Sequence, residues 1–151
     1  MTPTFARILH PTDFDPGAHR ALSLAALLAR KMGAELHVLH VDASAARAVL
    51  DYAAERDITL IVMGAKRLHT GFGHLLGSVA REVVDGSSCP VLATRQGEAV
   101  TTPQALSRVL VPYDFSAAAR QALAVAADVV RQSGGELVLL HVLEPQLAAV
   151  S

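Results

Sequence analysis

The sequence predicts an α/β fold: an open parallel sheet with helices on both faces, followed by a partial β-α-β repeat. Two observations predict it. The first is an internal duplication. Residues 7–41, RILHPTDFDPGAHRALSLAALLARKMGAELHVLHV, align without a gap at an offset of 101 with residues 108–142, RVLVPYDFSAAARQALAVAADVVRQSGGELVLLHV, and 17 of 35 positions are identical. Pro11/Pro112, Asp13/Asp114, Phe14/Phe115, Gly33/Gly134 and His40/His141 are among them. The second is the pattern inside each copy. A short apolar strand, a segment of helical periodicity and another apolar strand follow one another, and two strands joined by such a helix form a right-handed βαβ unit with parallel strands.

The first strand is expected at 7–10, apolar and ending before Pro11. A helix over 18–32 follows, with Leu22, Ala25, Ala26 and Ala29 at helical spacing and Gly33 as its stop. Residues 36–41 are the second strand. Ser44 is placed to cap a helix that runs through Glu55. Residues 59–63 form a continuous apolar strand of the buried, parallel kind. A further helix is expected over 78–85 with Gly86 as its stop, then a strand at 91–94. The organisation is one unit at 1–95, a linker at 96–107 without periodicity, and the partial repeat at 108–151, with strands at 109–111 and 137–142.

At 151 residues, 52% hydrophobic and 18% charged, with a mean hydropathy of +0.37, the chain has the material for one ordinary core and does not read as disordered. No apolar run reaches the roughly 18–20 residues that span a bilayer, and the N-terminus lacks the pattern of a secretory leader, so the expectation is a cytoplasmic protein with no membrane partner. Thirteen Lys and Arg against fourteen Asp and Glu leave a net charge of −1, and six aromatic residues with no Trp give no stacking platform, so nucleic acid is not an expected partner. The single cysteine, Cys89, excludes an internal disulfide and a Cys-rich zinc site.

The strand and turn Ile8-Leu9-His10-Pro11-Thr12-Asp13-Phe14, the segment from Leu60 to Gly64, then Gly77-Ser78-Val79 and Ser88-Cys89-Pro90-Val91-Leu92, resemble the universal stress protein family. Their combination covers most of residues 6–95, and the second copy resembles the start of another such domain. The resemblance implies a Rossmann-like sheet of the adenine nucleotide alpha hydrolase-like kind, in the order 3-2-1-4-5. Here the family's second helix and third strand are missing after Asp42. That strand lies at a sheet edge, so its loss leaves the order 2-1-4-5. ATP-binding members carry Gly, two residues, Gly, nine residues, Gly, then Ser or Thr. This chain has Gly64, Ala65-Lys66, Arg67, nine residues, Gly77, Ser78, with arginine at the middle glycine.

Ligands of open parallel sheets bind beyond the carboxyl ends of strands whose connections diverge. That crevice is expected between the first strand and residues 59–63, lined by Thr12, Asp13, Val41, Met63, Gly64, Lys66 and Arg67. Gly77, Ser78 and Val79 open a helix whose free amides and positive dipole end suit a phosphate, and His69 and His74 lie in the intervening loop. The resemblance uses Asp13 for a ribose hydroxyl or an adenine amine; a turn-capping role is equally open. Arg67 either clamps phosphate with its fork of donors or fills the space phosphate needs. His40 and His141 end equivalent strands and share a packing or hydrogen-bonding role, and no spacing supports a metal site. Cys89 reads as a passive packed thiol.

No Gly-x-Ser-x-Gly elbow, complete phosphate loop or acidic pair with metal spacing is present, so no catalytic residue is named. The expected function is a regulatory module that binds an adenine nucleotide, ATP or AMP, in the stress response, with Mg2+ only alongside ATP. A nucleotide-free interaction module with a degenerate pocket and a weak ATP hydrolase are the alternatives. A homodimer is also expected, because the partial repeat lacks a complete sheet and an unpaired edge invites another chain.

Overall fold

The computed structural model describes residues 5–42, 45–65, 67–70, 73–95 and 106–143, with the backbone alone at 67–70 and 73–75. It divides into two units, Met1–Ala105 and Leu106–Ser151.

In the first unit, β1 (Arg7–Thr12), β2 (Glu35–His40), β3 (Leu60–Ala65) and β6 (Val91–Arg95) form one parallel sheet in the order β2-β1-β3-β6, the 2-1-4-5 arrangement expected. Each helix is explained by its apolar face. Helix α1 (His19–Met32) buries Ala21, Leu24, Ala25, Leu28, Ala29 and Met32, and Gly33 ends it at φ 64°. The stripe expected through Leu22 and Ala26 is corrected to this neighbouring one. In so alanine-rich a segment, periodicity alone does not distinguish adjacent faces. The helix follows a 3-10 turn at Pro16–Ala18, where the Asp15 side chain accepts from the Gly17 N–H at 2.9 Å.

On the other sheet face, α2 (Ala45–Glu55) and α3 (Ser78–Gly86) cover Leu9, Ile61 and Met63 with Ala46, Val49, Ala53, Ala80 and Val83. Ser44, the expected cap of α2, lies outside the described residues. Gly86 belongs to α3 itself rather than serving as a left-handed stop. A Cβ there would stand 2.7 Å from Leu50 Cδ1, the movable end of a side chain on α2.

Strand boundaries also differ from expectation: β2 (Glu35–His40) and the last strand, Glu136–Leu140, stop short of the expected 41 and 142, because the chain turns away once its pairing with the preceding strand ends, while β1 and β3 run past their expected ends. β1 runs through Pro11 to Thr12 instead of stopping before the proline. The reason lies in the pairing: β1 and β3 are in register only at Ile8↔Leu60 and Leu9↔Ile61, so the missing Pro11 N–H falls where the two strands have parted. There the buried His10 ring takes over, with Nδ1 donating to the Val62 carbonyl at 2.9 Å. β3 likewise reaches Ala65, carrying Gly64 inside a strand paired with Thr94. Between β3 and α3, where a loop is expected, β4 (Arg67–Thr70) and β5 (Gly73–Leu76) form an antiparallel hairpin. Its strands, RLHT and GHLL, are four residues each, too short for a periodicity to be read from the sequence.

The second unit contains β7 (Arg108–Pro112), α4 (Ala117–Ser133) and β8 (Glu136–Leu140), with β7 and β8 parallel. Ser116 caps α4 by accepting from the Ala119 N–H at 3.1 Å, and Gly134 closes it at φ 71°. Leu110, equivalent to the fully buried Leu9, is 56% exposed, because no counterpart of α2 or β3 covers it among the described residues.

Candidate functional site

The divergence of β1 from β3 opens a cavity of about 310 Å3 at the carboxyl end of the sheet. Thr12 and Asp13 line it from the end of β1, Val41 from the end of β2, and Met63 and Gly64 from β3. Gly77, Ser78 and Val79 complete it from the start of α3. Eight of the ten residues singled out in the sequence thus face one space. Lys66 lies outside the described residues, and Arg67 is described by its backbone alone, in β4 opposite Leu76.

Each wall has a local cause. After β1 the chain makes a turn stapled by its own side chains: Thr12 Oγ1 accepts from the Phe14 N–H at 3.0 Å and Asp13 Oδ1 from the Asp15 N–H at 3.1 Å. Phe14 adopts φ 60°, a left-handed conformation that costs a bulky residue about 1–2 kcal/mol. Its ring stacks on His40, the last residue of β2, at a centroid distance of 5.0 Å and an interplanar angle of 15°. The Val41 N–H then donates to the Thr12 carbonyl at 3.0 Å, tying the two strand ends together.

The second unit repeats this arrangement. Phe115 has φ 66° and meets His141 edge-on at 4.9 Å, and Asp114 Oδ1 accepts from the Ser116 N–H at 2.9 Å. The Ser116 hydroxyl and N–H hold the Asp114 carboxyl below the usual carboxylate range. Turn capping is therefore common to Asp13 and Asp114, and Asp13 adds to it a place on the cavity wall. The shared role of His40 and His141 is packing against the preceding phenylalanine.

Gly64 needs no unusual backbone, and among the described residues a Cβ there would meet only the Ala18 Cα, at an ordinary 3.9 Å. Packing against the described residues does not demand glycine at this position, which lines the cavity. Opposite, the N-cap of α3 is Gly77, with no side-chain cap, and the first helical bond runs from the Arg81 N–H to the Gly77 carbonyl at 3.0 Å. Ser78 is thus the first helical residue rather than the N-cap, and the N–H groups of Ser78, Val79 and Ala80 have no intrahelical acceptor. The site joins hydrogen-bonding carboxylates at one end, apolar walls, and a positive helix end at the other.

Sequence reasoning missed Pro11, Ala18, Asp42, Ala45, Val49 and Ala80, which also line the cavity. Asp42 had a signal, its place directly after Val41; the α2 residues had none, since nothing in the sequence says which end of α2 overhangs the crevice. Among the described residues, no group of three or more His, Cys, Asp or Glu side chains is placed to hold a metal ion, and no helix is long and apolar enough to cross a membrane. Cys89 is half-buried against the core, with Sγ 3.5 Å from Ser87 Oγ.

Comparison with known proteins places this geometry in context. The Universal stress protein family profile matches residues 4–47, 42–95 and 106–151. Universal stress protein YxiE of Bacillus subtilis (strain 168) is 31% identical over 67 residues, which span 44% of this chain and 45% of that protein. A universal stress protein from Archaeoglobus fulgidus DSM 4304 superposes with a TM-score of 0.69 at 22% identity, covering 95% of this chain and 69% of that one. A universal stress protein crystallised in complex with cAMP superposes with a TM-score of 0.52 at 21% identity, covering 62% of this chain and 98% of its own.

Proposed function

The chain belongs to the universal stress protein family, and from that premise we propose that the first unit binds an adenine mononucleotide and acts as a regulatory module in the stress response. The observation that carries this is the cavity between the ends of β1, β2 and β3 and the uncapped start of α3. Its volume of about 310 Å3 lies at the lower end of the roughly 300–1,000 Å3 typical of small-molecule sites. The amides of Ser78 and Val79 offer a phosphate unpaired donors and a favourable dipole. Val41 and Met63 provide apolar surface for the base, and Asp13 is an acceptor for a ribose hydroxyl or an exocyclic amine. The cAMP complex of a structural relative supports the adenine nucleotide class. AMP or ATP is the ligand, and Mg2+ enters only with ATP, whose phosphates would supply most of its ligands.

Calorimetric titration with AMP, cAMP and ATP, with and without Mg2+, tests this reading. Saturable binding of at least one of them supports it. Absence of binding by all three leaves the nucleotide-free interaction module. Release of phosphate from ATP would point to the weak hydrolase.

The wider assignment has three parts: a module at 1–95, a linker at 96–107 and a partial repeat at 108–151. The half-covered β7–β8 pair and the edge strand β6 supply surface for a homodimer in the cytoplasm. Light scattering at micromolar concentration should give twice 15.9 kDa; a monomer would reject self-association.

A further inference from the structure

Two phenylalanines, Phe14 and Phe115, occupy equivalent positions in the duplicated segments, and both hold a left-handed backbone that glycine would adopt at lower cost. A strained conformation of this kind persists only where its surroundings over-determine it. What the phenylalanine adds is its ring, and in each copy that ring contacts the histidine that follows the second strand's apolar run, His40 or His141. In the first unit the contact lies beside the cavity. There the stack joins the turn carrying Thr12 and Asp13 to the strand end carrying Val41, and all three of these residues line the cavity.

We propose that the Phe14–His40 stack is a positioning clasp that holds the Thr12–Asp13 wall against the end of β2 in the geometry that receives the nucleotide. The proposal rests on the adenine-nucleotide reading for its ligand. Phe14 and His40 are positioning residues; neither lines the cavity. The clasp acts through two observed bonds, Asp15 N–H to Asp13 Oδ1 and Val41 N–H to the Thr12 carbonyl, which share the turn and strand end that the rings bridge.

The test uses the full chain, with AMP as the probe. His40→Ala and Phe14→Leu should each weaken AMP roughly two- to ten-fold, the range expected when one aromatic pair is lost, with thermal midpoints close to the parent. The double variant should be no weaker than the worse single one, because both remove the same contact. His40→Phe, which keeps a stacking ring, should restore affinity. His141→Ala, the same change in the second unit, should leave it unaltered. Parental affinity in His40→Ala and Phe14→Leu would overturn the proposal, as would a His40→Phe variant as weak as the alanine one.

A parent protein that binds no AMP would count against the nucleotide reading alone. Amide hydrogen exchange in the unliganded protein then decides the clasp. His40→Ala should speed exchange at Asp15 and Val41 several-fold relative to Ile61 in the core, and unchanged rates at those two amides would overturn the clasp.

Discussion

Replacing Gly64 by alanine separates the fold from the pocket. Gly64 lies in β3 at the cavity floor, and the added methyl would meet the Ala18 Cα at 3.9 Å, an ordinary van der Waals separation. No left-handed backbone is required there. The substitution should therefore leave the fold intact, and the reduced freedom of the unfolded chain should stabilise it by about 0.4–1 kcal/mol. Binding should change in the opposite direction. A methyl on the floor of a cavity of only about 310 Å3 holds the ligand away from the backbone and from the α3 amides. Losing one charge-assisted hydrogen bond costs about 1.5–3 kcal/mol, or roughly ten- to a hundred-fold in affinity. Thermal unfolding and AMP calorimetry on the same preparation measure both. A large fall in melting temperature would show that packing demands the glycine; undiminished AMP affinity would show that the cavity floor is not the ligand's seat.

Gly77→Val, at an N-cap with φ −59° and ψ 158° that valine tolerates, should abolish AMP binding while retaining the fold; unchanged affinity by calorimetry would move the phosphate elsewhere. Arg67→Gly should weaken ATP binding and reduce its salt dependence, because β4 sets residue 67 opposite Leu76, which adjoins Gly77; tighter binding would mean that the arginine obstructs the site. Gly135→Ala should destabilise the second unit by about 1–3 kcal/mol in denaturant titration, since its Cβ would stand 2.5 Å from the Leu106 carbonyl oxygen; an unchanged midpoint would refute that packing. Burial lowers the His10 pKa from its ordinary 6.5, with the Val62 carbonyl partly opposing the shift. As pH falls below 6.5 the unfolded chain takes up a proton that the folded one refuses. Stability should then drop by at most about 1.4 kcal/mol per pH unit until the folded-state pKa is reached, and His10→Val, which copies Val111 of the repeat, should remove that component of the slope.

The parallel sheet with helices was legible because duplication exposes the βαβ unit twice and because a buried parallel strand such as Leu60–Ala65 is continuously apolar, while its strand order followed from the resemblance to the universal stress protein family. Thr12, Asp13, Val41 and Gly77 were legible as neighbours because the strand-end rule converts topology into location. The buried stripe of α1 was not, since alanines on adjacent faces carry equal hydrophobic signal. Nor was β1's passage through Pro11, which depends on where β1 and β3 stop pairing, a three-dimensional fact that His10 compensates by bonding the Val62 carbonyl. The contribution of Val49 depends on how α2 lies over the sheet, which no local pattern encodes. The Phe14 backbone was equally hidden, because phenylalanine is among the residues least expected at positive φ.

Backbone amide NMR during titration with AMP tests the central claim most directly, because it reports both binding and place. The account predicts saturable, coupled shifts at Gly64, Ser78 and Val79, where the phosphate would lie, and at Asp13 and Val41, where the nucleoside would lie, with little change at Val109 and Leu137 in the second unit. Shifts confined to other residues, or none at millimolar AMP, would contradict it.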